Sequence, residues 1–223
     1  MVKAVLFDLD GTLINSIDDL ADSVNHTLGA LGYPTHETEK YKYFIGNGMR
    51  KLIERALGAR ETEVVDRVLE KFMAYYREHS LDKTRPYDGV TELLSALTKK
   101  GIISVIVTNK AHAAAVKIGK HFFGDNIKVY GQREGVPTKP DPAIVNLVLD
   151  ELRLHKSECI FVGDNFKKDI VGSVSVGMHA IWYNPKGKAV PEGTGLTEKD
   201  YKEIRSYEEL LPYIGVLNDL VKE

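Results

Sequence analysis

The sequence predicts an α/β protein in which a doubly wound, Rossmann-like parallel sheet forms the core and an α-helical cap is inserted into it. Three apolar runs, at 2–7, 102–107 and 159–162, are typical of strands covered by helices on both faces. Helical patterns alternate with these runs, as they do in parallel sheets. Between the first two runs, residues 16–83 show helical patterns and no strand of comparable strength, which indicates the insertion.

The chain is expected to divide into a core at 1–15 and 84–223 and a cap at 16–83. Ser16 to Asp19 has the spacing of a capping box, which predicts that the first cap helix begins there. Apolar residues then recur at helical intervals, at Leu20, Val24, Leu28 and Leu31, and further amphipathic patterns lie at 49–57 and 63–76.

After the cap, the pattern returns to alternating helices and strands. Asp141 is expected to cap a helix that has Pro142 at its first position. We expect helices at 90–97, 111–122, 142–152 and 168–176, a strand at 179–183, an exposed loop at 184–197 and a terminal helix at 207–220.

The first apolar run ends in two carboxylates, Asp8 and Asp10, followed by Gly11 and Thr12. In open α/β sheets, ligands bind at the carboxyl ends of the strands. Because side chains alternate along a strand, Asp8 and Asp10 are expected to share one side. Carboxylates in such a place are costly unless a metal or a ligand compensates them, and the pair favours phosphoryl chemistry.

Matching polar residues follow further along the chain. The run at 102–107 leads to Thr108 and Asn109, whose hydroxyl and amide groups suit the binding of phosphate oxygens. Lys139 lies between two prolines in a segment whose direction is restricted. The run at 159–162 leads to Asp164, and Asp169 follows near the start of another helix. The ordered set therefore predicts one site of four acids, one lysine and two phosphate-binding groups.

In this order, the segments resemble the motifs of the haloacid dehalogenase superfamily of phosphotransferases. The resemblance rests on the sequence DLDGT at the first strand, on Thr108, on Lys139 and on the spacing of Asp164 and Asp169, and it covers nearly the whole chain. The commonest form of the last motif spaces its acids by one residue fewer. The longer spacing also occurs in the superfamily, so the departure concerns Asp169 more than Asp164.

The resemblance implies a reaction in two steps. Asp8 is expected to attack phosphorus and to form an aspartyl-phosphate, and Asp10 to protonate the leaving oxygen and then to activate water. The resemblance also implies a Mg²⁺ ion held by the carboxylates of Asp8 and Asp164 and by the backbone carbonyl of Asp10. Asp10 separates this chain from the dehalogenases, because a halide leaves without a proton. A phosphatase is therefore expected.

The remaining motif residues are expected to bind and neutralise the phosphoryl group. By the resemblance, Lys139 neutralises Asp8 and the phosphate, while Thr108 and the backbone amide of Asn109 donate hydrogen bonds to its oxygens. Asp169 is expected to belong to the metal site by orienting Lys139 or a metal-bound water. A purely structural ion pair between Lys139 and Asp169 is the alternative.

The cap contains one segment suited to specificity: Gly46, Asn47 and Gly48 precede a helix that carries Arg50. Free backbone amides at a helix start bind anions, and Arg50 adds charge. An interhelix turn with glycines for geometry alone is the competing interpretation. Together with the motifs of the core, this segment resembles the bacterial phosphoglycolate phosphatase family. That resemblance implies 2-phosphoglycolate as substrate, with its carboxylate at the cap.

Other functions share these core motifs. Inorganic pyrophosphatases, sugar-phosphate and nucleotide phosphatases and a sugar phosphomutase resemble the chain equally in the core. From a different class, a phosphorylation-dependent signalling module or a non-catalytic binding protein also combines acids, a threonine and a lysine around a parallel sheet. A receiver domain, however, has no acid two residues after its phosphorylated aspartate and no helical insertion.

Composition narrows the setting. The net charge is −2, which predicts no nucleic-acid partner. No apolar run is long enough to span a membrane, and no signal peptide is expected at the amino terminus. Cys159 is the only cysteine, which favours a reducing cytoplasm. The expected partner is a small phosphorylated metabolite, and the oligomeric state is not indicated.

Overall fold

In a computed structural model that describes residues 1–58 and 61–220, the protein is built around a six-stranded sheet whose neighbouring strands are all parallel. The strands of the chain are β1 (Ala4–Phe7), β2 (Ile14–Asn15), β3 (Arg85–Pro86), β4 (Ile103–Ala111), β5 (Lys128–Gln132), β6 (Cys159–Gly163), β7 (His179–Tyr183) and β8 (Tyr201–Ile204). The order across the large sheet is β5-β4-β1-β6-β7-β8, so β1 lies between β4 and β6.

Helices cover both faces of this sheet. The helices are α1 (Ile17–Ala30), α2 (Thr38–Phe44), α3 (Met49–Leu57), α4 (Thr62–His79), α5 (Val90–Lys99), α6 (His112–Phe123), α7 (Ala143–Leu152), α8 (Val171–Ser175) and α9 (Leu210–Leu220), of which α5 to α9 pack against the sheet. On β1, Val5 and Phe7 pack with α5, α6 and α9, whereas Ala4 and Leu6 pack with α7 on the opposite face. The predicted doubly wound α/β core is confirmed.

Helices α1 to α4 pack around an apolar core of their own, which includes Val24, Leu28, Tyr41 and Phe72. The chain enters and leaves this helical layer through β2 and β3, which pair antiparallel as a two-stranded ribbon. The expected domain boundaries fall at this ribbon. The division into two domains stays a prediction, and residues 59, 60 and 221–223 of the predicted ranges lie outside the described residues.

Several local expectations need correction. Ser16 does not cap α1 with its side chain; its hydroxyl donates instead to Asp10. Helix α7 begins one residue later than predicted, with Pro142 at its N-cap, although Asp141 does accept a hydrogen bond from the Ala143 amide. Strands β5 and β8 were not predicted, because both are short and partly exposed.

The helix predicted at 168–176 is two different elements. Residues Phe166–Ile170 form a π-helical turn, and α8 begins only at Val171. A π turn holds one residue more than an α turn and is frequent at functional sites. The π turn thus accommodates the extra residue between Asp164 and Asp169. It packs directly behind the end of β6.

Two further observations concern the setting. Within residues 1–58 and 61–220, no helix has both the length and the apolar character that a membrane crossing requires. Cys159 is free and buried at the start of β6. The cytoplasmic location stays a prediction.

The buried Asp19 carboxylate ties α1 to the returning chain. Its two oxygens accept hydrogen bonds from the backbone amides of Lys83 and Thr84, each at 2.8 Å. We expect Asp19→Ala to lower the free energy of unfolding by about 2–3 kcal/mol, because two backbone amides, of which that of Thr84 is buried, lose a charged acceptor. Urea denaturation measures this change.

Asp22 on the same helix is the matched control. Its carboxylate forms an exposed ion pair with the Lys83 ammonium, and such pairs contribute about 0–1 kcal/mol. Equal losses for Asp19→Ala and Asp22→Ala would contradict the assignment of Asp19 as a link between the two parts of the chain.

Candidate active site

The carboxyl ends of β1, β4 and β6 open into a cavity of about 370 Å³ beneath the helical layer. Core residues of this cavity lie at the ends of these three strands, in the segments that follow them, and in the segments that follow β5 and β7. On the opposite side it is lined by the segment that leads into α3, at Ile45, Gly46, Gly48, Met49 and Leu52. The topology therefore gathers segments that are distant in the sequence around one cavity.

Lys139 is the central cation of the site. Its ammonium lies 2.9 Å from Asp8 Oδ1 and donates hydrogen bonds of 2.8 Å to Asp169 Oδ1 and to the backbone carbonyl of Val107. The side chain is only 3% exposed. Burial lowers the pKa of Lys139, but the carboxylates of Asp169 and Asp8 raise it more, so the net shift is upward. The ammonium is thus held charged in the interior.

Asn109 fixes the backbone of Lys139. Its side-chain oxygen accepts from the Lys139 amide at 2.8 Å, and its side-chain nitrogen donates to the Lys139 carbonyl at 3.0 Å. Both polar atoms of the Asn109 side chain are therefore occupied by the neighbouring loop. Only the backbone amide of Asn109 is left for the predicted contact with phosphate.

Asp169 is brought into the site by the π turn. Its Oδ1 accepts from Lys139, and its Oδ2 accepts from the Asn165 amide at 3.0 Å. The carboxylate packs closely against Gly163: a side chain there would place its Cβ 2.3 Å from Asp169 Oδ2. The two hydrogen bonds hold the Asp169 carboxylate toward Lys139. Orienting Lys139 is one of the two roles expected for Asp169, the other being to orient a metal-bound water.

Three carboxylates come together at the bottom of the cavity. Asp8, Asp164 and Asp169 each offer an oxygen, and these oxygens lie within 4.8 Å of one another. Burial, followed by the charges of Asp169 and Asp8, raises the pKa of Asp164 from 3.8 to about 7. Burial also raises the pKa of Asp169. The cluster therefore holds more negative charge than Lys139 compensates.

This cluster fits a divalent cation. Hard cations such as Mg²⁺ prefer carboxylate oxygens, and a bound cation would neutralise the charges of Asp8, Asp164 and Asp169, which lie close together. Space beside the cluster is preserved by Gly11, which has a φ of +88° and where a Cβ would come within 2.7 Å of Asp164 Oδ1. Of the four expected metal residues, Asp10 is the one whose carboxylate lies outside the cluster, in agreement with a role for its backbone carbonyl.

The Asp10 carboxylate has partners of its own. Lys110 donates to both of its oxygens, at 3.0 and 3.2 Å, and the Ser16 hydroxyl donates to Oδ1 at 2.5 Å. The Lys110 side chain is fully buried, and its ammonium lies 5.1 Å from the ring centre of Tyr76 on α4. Burial lowers the pKa of Lys110, while the charge of Asp10 raises it and determines the net upward shift.

The rest of the site is shaped by neutral groups. Thr108 is buried beside the cavity, and its oxygen accepts from the Lys110 amide at 3.2 Å, which leaves its hydroxyl proton for a ligand. The Asp164 backbone is held on both sides: its amide donates to Thr12 Oγ1 at 3.0 Å, and its carbonyl accepts from Trp182 Nε1 at 3.1 Å. These bonds fix Asp164 at the end of β6.

The expected cap residues are placed unequally. Gly46 and Gly48 line the cavity, and Gly48 precedes the first turn of α3. Asn47 accepts a hydrogen bond from Arg55, and Arg50 forms a half-exposed ion pair with Asp66 on α4. Neither Asn47 nor Arg50 is among the described residues that line the cavity.

Several residues of the site were not assigned by the sequence, among them Lys188, whose ammonium lies 3.7 Å from Asp164 Oδ2. Lys110 follows Asn109 directly, but only the fold shows that it reaches Asp10. Ser16 was interpreted as a helix cap. Lys168 lines the cavity from the π turn and contacts the backbone carbonyl of Gly46. The available sequence signal was a pair of lysines, Lys167 and Lys168, between two acids of the last motif.

A parallel sheet with an acidic cluster, a buried lysine and a helical cover at its carboxyl edge defines a capped α/β hydrolytic enzyme. The sequence profile of the haloacid dehalogenase-like hydrolase family matches residues 5–183. The chain therefore belongs to the haloacid dehalogenase-like hydrolases and is a phosphatase similar to phosphoglycolate phosphatases.

Individual relatives agree with this assignment. A phosphoglycolate phosphatase of Mannheimia succiniciproducens is 35% identical over 189 residues, which cover 80% of this chain and 84% of the relative. An N-acetylmuramic acid 6-phosphate phosphatase of Pseudomonas aeruginosa is 31% identical over 169 residues, covering 74% and 75%. The crystal structure of a predicted phosphoglycolate phosphatase from Haemophilus somnus superposes with a TM-score of 0.83 at 26% identity, covering 96% of this chain and 98% of that one.

The raised pKa of Asp164 gives a pH dependence to cation binding. In the metal-free fold this carboxyl group stays protonated up to about pH 7, above its ordinary 3.8. Between these values the folded state binds more protons than the unfolded state, so the stability of the metal-free protein falls as the pH rises. A cation must displace this proton, and we expect Mg²⁺ to bind about tenfold more weakly at pH 6 than at pH 8.

Isothermal titration calorimetry with MgCl₂ at both pH values measures the difference. Asp164→Asn is the control, and it is expected to lose Mg²⁺ binding at both. Equal Mg²⁺ affinities of the unmodified protein at pH 6 and pH 8 would exclude Asp164 as the titrating ligand.

Proposed function

We propose that the protein is a Mg²⁺-dependent phosphomonoesterase that hydrolyses a small phosphorylated metabolite, 2-phosphoglycolate, through an aspartyl-phosphate on Asp8. The observation that carries this proposal is the buried Lys139 ammonium, which is held between Asp8 and Asp169 beside the acidic cluster. This arrangement places a fixed positive charge beside a carboxylate that lines the cavity. It suits the approach of a phosphate to a negatively charged nucleophile.

Asp8 is assigned as the nucleophile. Lys139 fixes the direction of its carboxylate through Oδ1, and the Asp8 amide donates to the Val162 carbonyl at 2.9 Å, which anchors the end of β1 to β6. A carboxylate oxygen of Asp8 attacks phosphorus, the bond to the leaving oxygen breaks, and the phosphoryl group is transferred to Asp8. Water then hydrolyses the acyl phosphate and restores the carboxylate.

Asp10 is assigned as the general acid and base. It donates a proton to the leaving oxygen in the first step and removes a proton from the attacking water in the second. Lys110 and Ser16 hold this carboxyl group at the cavity wall. Its separation from the acidic cluster keeps it available for proton transfer.

Mg²⁺ would be held by the carboxylates of Asp8 and Asp164 and by the Asp10 backbone carbonyl, and when bound it supplies positive charge for the phosphate oxygens. Asp169 acts by orienting Lys139, because its Oδ1 accepts a hydrogen bond from the Lys139 ammonium. The Thr108 hydroxyl and the Asn109 backbone amide donate to the phosphoryl oxygens.

The cavity supports a small substrate. Its volume of about 370 Å³ lies near the lower end of ordinary ligand pockets, and the α3 segment covers it. Relatives named phosphoglycolate phosphatase support 2-phosphoglycolate in particular. Within the predicted cap site, Gly46 and Gly48 are the members at the cavity, whereas Asn47 and Arg50 support the segment through Arg55 and Asp66.

A sugar-phosphate substrate is the second candidate. It is favoured by the relative named N-acetylmuramic acid 6-phosphate phosphatase, which matches three quarters of the chain. Phosphate release from a panel of 2-phosphoglycolate, pyrophosphate, sugar phosphates and nucleotides separates the two candidates. A preference for a sugar phosphate would keep the mechanism and replace the substrate.

Asp8→Asn tests the nucleophile. We expect phosphate release to fall at least about a thousandfold, because an amide does not attack phosphorus, while the melting temperature changes little. Hydroxylamine added to the turning-over unmodified enzyme is expected to convert Asp8 to a hydroxamate, identified by mass spectrometry of its peptide. Appreciable turnover of the Asp8→Asn protein would refute the assignment.

Asp10→Asn tests the proton transfer. An alkyl phosphate needs a proton on its leaving oxygen, whereas p-nitrophenolate leaves without one. We therefore expect kcat/KM to fall about 100-fold or more for 2-phosphoglycolate and clearly less for formation of the phosphoenzyme from p-nitrophenyl phosphate, measured as the burst of p-nitrophenolate. Equal losses in both measurements would show that Asp10 acts in another way.

A further inference from the structure

We propose that Lys168, carried on the π turn of the core, is a specificity-determining residue that binds a second anionic group of the substrate, on the side away from Asp8. This inference rests on the proposed phosphomonoesterase function and names the class of substrate: a small phosphomonoester with a carboxylate or a second phosphate. The geometry points to this residue rather than to Arg50 of the cap.

The first observation is the position of Lys168. Its side chain lines the cavity, and its ammonium donates to the backbone carbonyl of Gly46, which lies in the segment that covers the cavity. Gly46 has a φ of +102°, and a side chain there would place its Cβ 2.5 Å from the Lys168 nitrogen. The absence of a side chain at residue 46 therefore makes room for this ammonium at the cover of the cavity.

The second observation is that Lys168 lacks a carboxylate partner among the described residues, although it is partly buried. The two fully buried lysines of the site differ in this respect: Lys110 is paired with Asp10, and Lys139 with Asp8 and Asp169. No carboxylate in residues 1–58 and 61–220 lies within 4.0 Å of the Lys168 ammonium. Burial lowers its pKa, which agrees with a cation that lacks full compensation.

The third observation is that two of the lysines that line the cavity, Lys139 and Lys168, contact different parts of the chain. Lys139 serves Asp8 and therefore the phosphoryl group that Asp8 accepts. Lys168 is farther from Asp8 and reaches the covering segment. An ammonium has three N–H donors, and the Gly46 carbonyl accepts a hydrogen bond from only one of them. Lys168 therefore keeps donors for an anionic group of a substrate in the cavity. A charged hydrogen bond in a partly buried place distinguishes an anion strongly from a neutral isostere.

The π turn explains why the chain places a lysine here. One residue more between Asp164 and Asp169 widens the turn, while Asp169 still reaches Lys139. Lys168 immediately precedes Asp169, so the same turn that orients the acid presents the lysine to the cavity. The insertion thus adds a cation to the substrate space and leaves the catalytic contacts in place.

The test compares two substrates that differ in one group. 2-Phosphoglycolate carries a carboxylate where 2-hydroxyethyl phosphate carries a neutral CH₂OH group. In Lys168→Met, kcat/KM for 2-phosphoglycolate is expected to fall about 10- to 100-fold, whereas kcat/KM for 2-hydroxyethyl phosphate changes less than about threefold. Lys168→Arg is expected to recover part of the loss. Pyrophosphate as a third substrate shows whether a phosphate replaces the carboxylate.

The control for loss of charge is Lys40→Met, an exposed position on α2 outside the lining of the cavity, which is expected to behave as the unmodified protein. Equal losses of Lys168→Met on both phosphoglycolate and hydroxyethyl phosphate would overturn the proposal, because Lys168 would then serve the transferring phosphoryl group. An unmodified enzyme that hydrolyses 2-phosphoglycolate and pyrophosphate with no higher kcat/KM than 2-hydroxyethyl phosphate would overturn it as well.

Binding separates a failure of this inference from a failure of the phosphatase function. Calorimetry with Mg²⁺ and 2-phosphoglycolate is performed on Asp8→Asn and on the double variant Asp8→Asn/Lys168→Met. A weaker Kd in the double variant, by about tenfold or more, supports the anion site whether or not the unmodified protein turns over. Equal Kd values refute the anion site and leave the phosphatase function standing.

Discussion

The Lys139 ammonium is the interaction on which the architecture of the site depends. It joins the end of β1 through Asp8, the end of β4 through the Val107 carbonyl and the π turn behind β6 through Asp169. A buried ammonium without such partners costs several kcal/mol, roughly, and so does a buried carboxylate that loses its cation. Lys139 therefore holds these segments of the sheet edge together around one charge, and the same contacts form the proposed catalytic geometry.

The residues proposed for catalysis and for selectivity meet where the helical layer covers the core. The groups assigned to phosphoryl transfer all lie on the core, where short loops after buried strands hold them. The helical layer meets this core through a narrow ribbon, through Asp19 and through the contacts of Ser16 and Tyr76 with the Asp10–Lys110 pair. The proposed selection among phosphate esters therefore takes place between the two layers, where Lys168 of the core contacts Gly46 of the cover.

The core was predictable because its signals are local: a buried strand is a short apolar run, and the residue that follows it lies at the ligand-binding edge. Contacts between residues that are distant in the sequence were not predictable. Arg50 pairs with Asp66, sixteen residues away, and nothing in the sequence favours that partner over a ligand. Counting residues between Asp164 and Asp169 revealed an extra one, but only the fold shows a π turn that turns Lys168 toward Gly46. Strand β8 was not predicted because a half-exposed edge strand lacks a continuous apolar run.

Trp182 gives the site an optical property. It is the only tryptophan in the sequence, it is 2% exposed, and its indole donates to the carbonyl of Asp164 while its ring packs edge-on against Phe166 of the π turn, with 4.9 Å between the ring centres. Indole emission responds to nearby charge and to the polarity of its hydrogen-bond acceptor. The whole intrinsic tryptophan fluorescence of the protein therefore originates beside the acidic cluster, so that events in the cavity can be followed by light without a label.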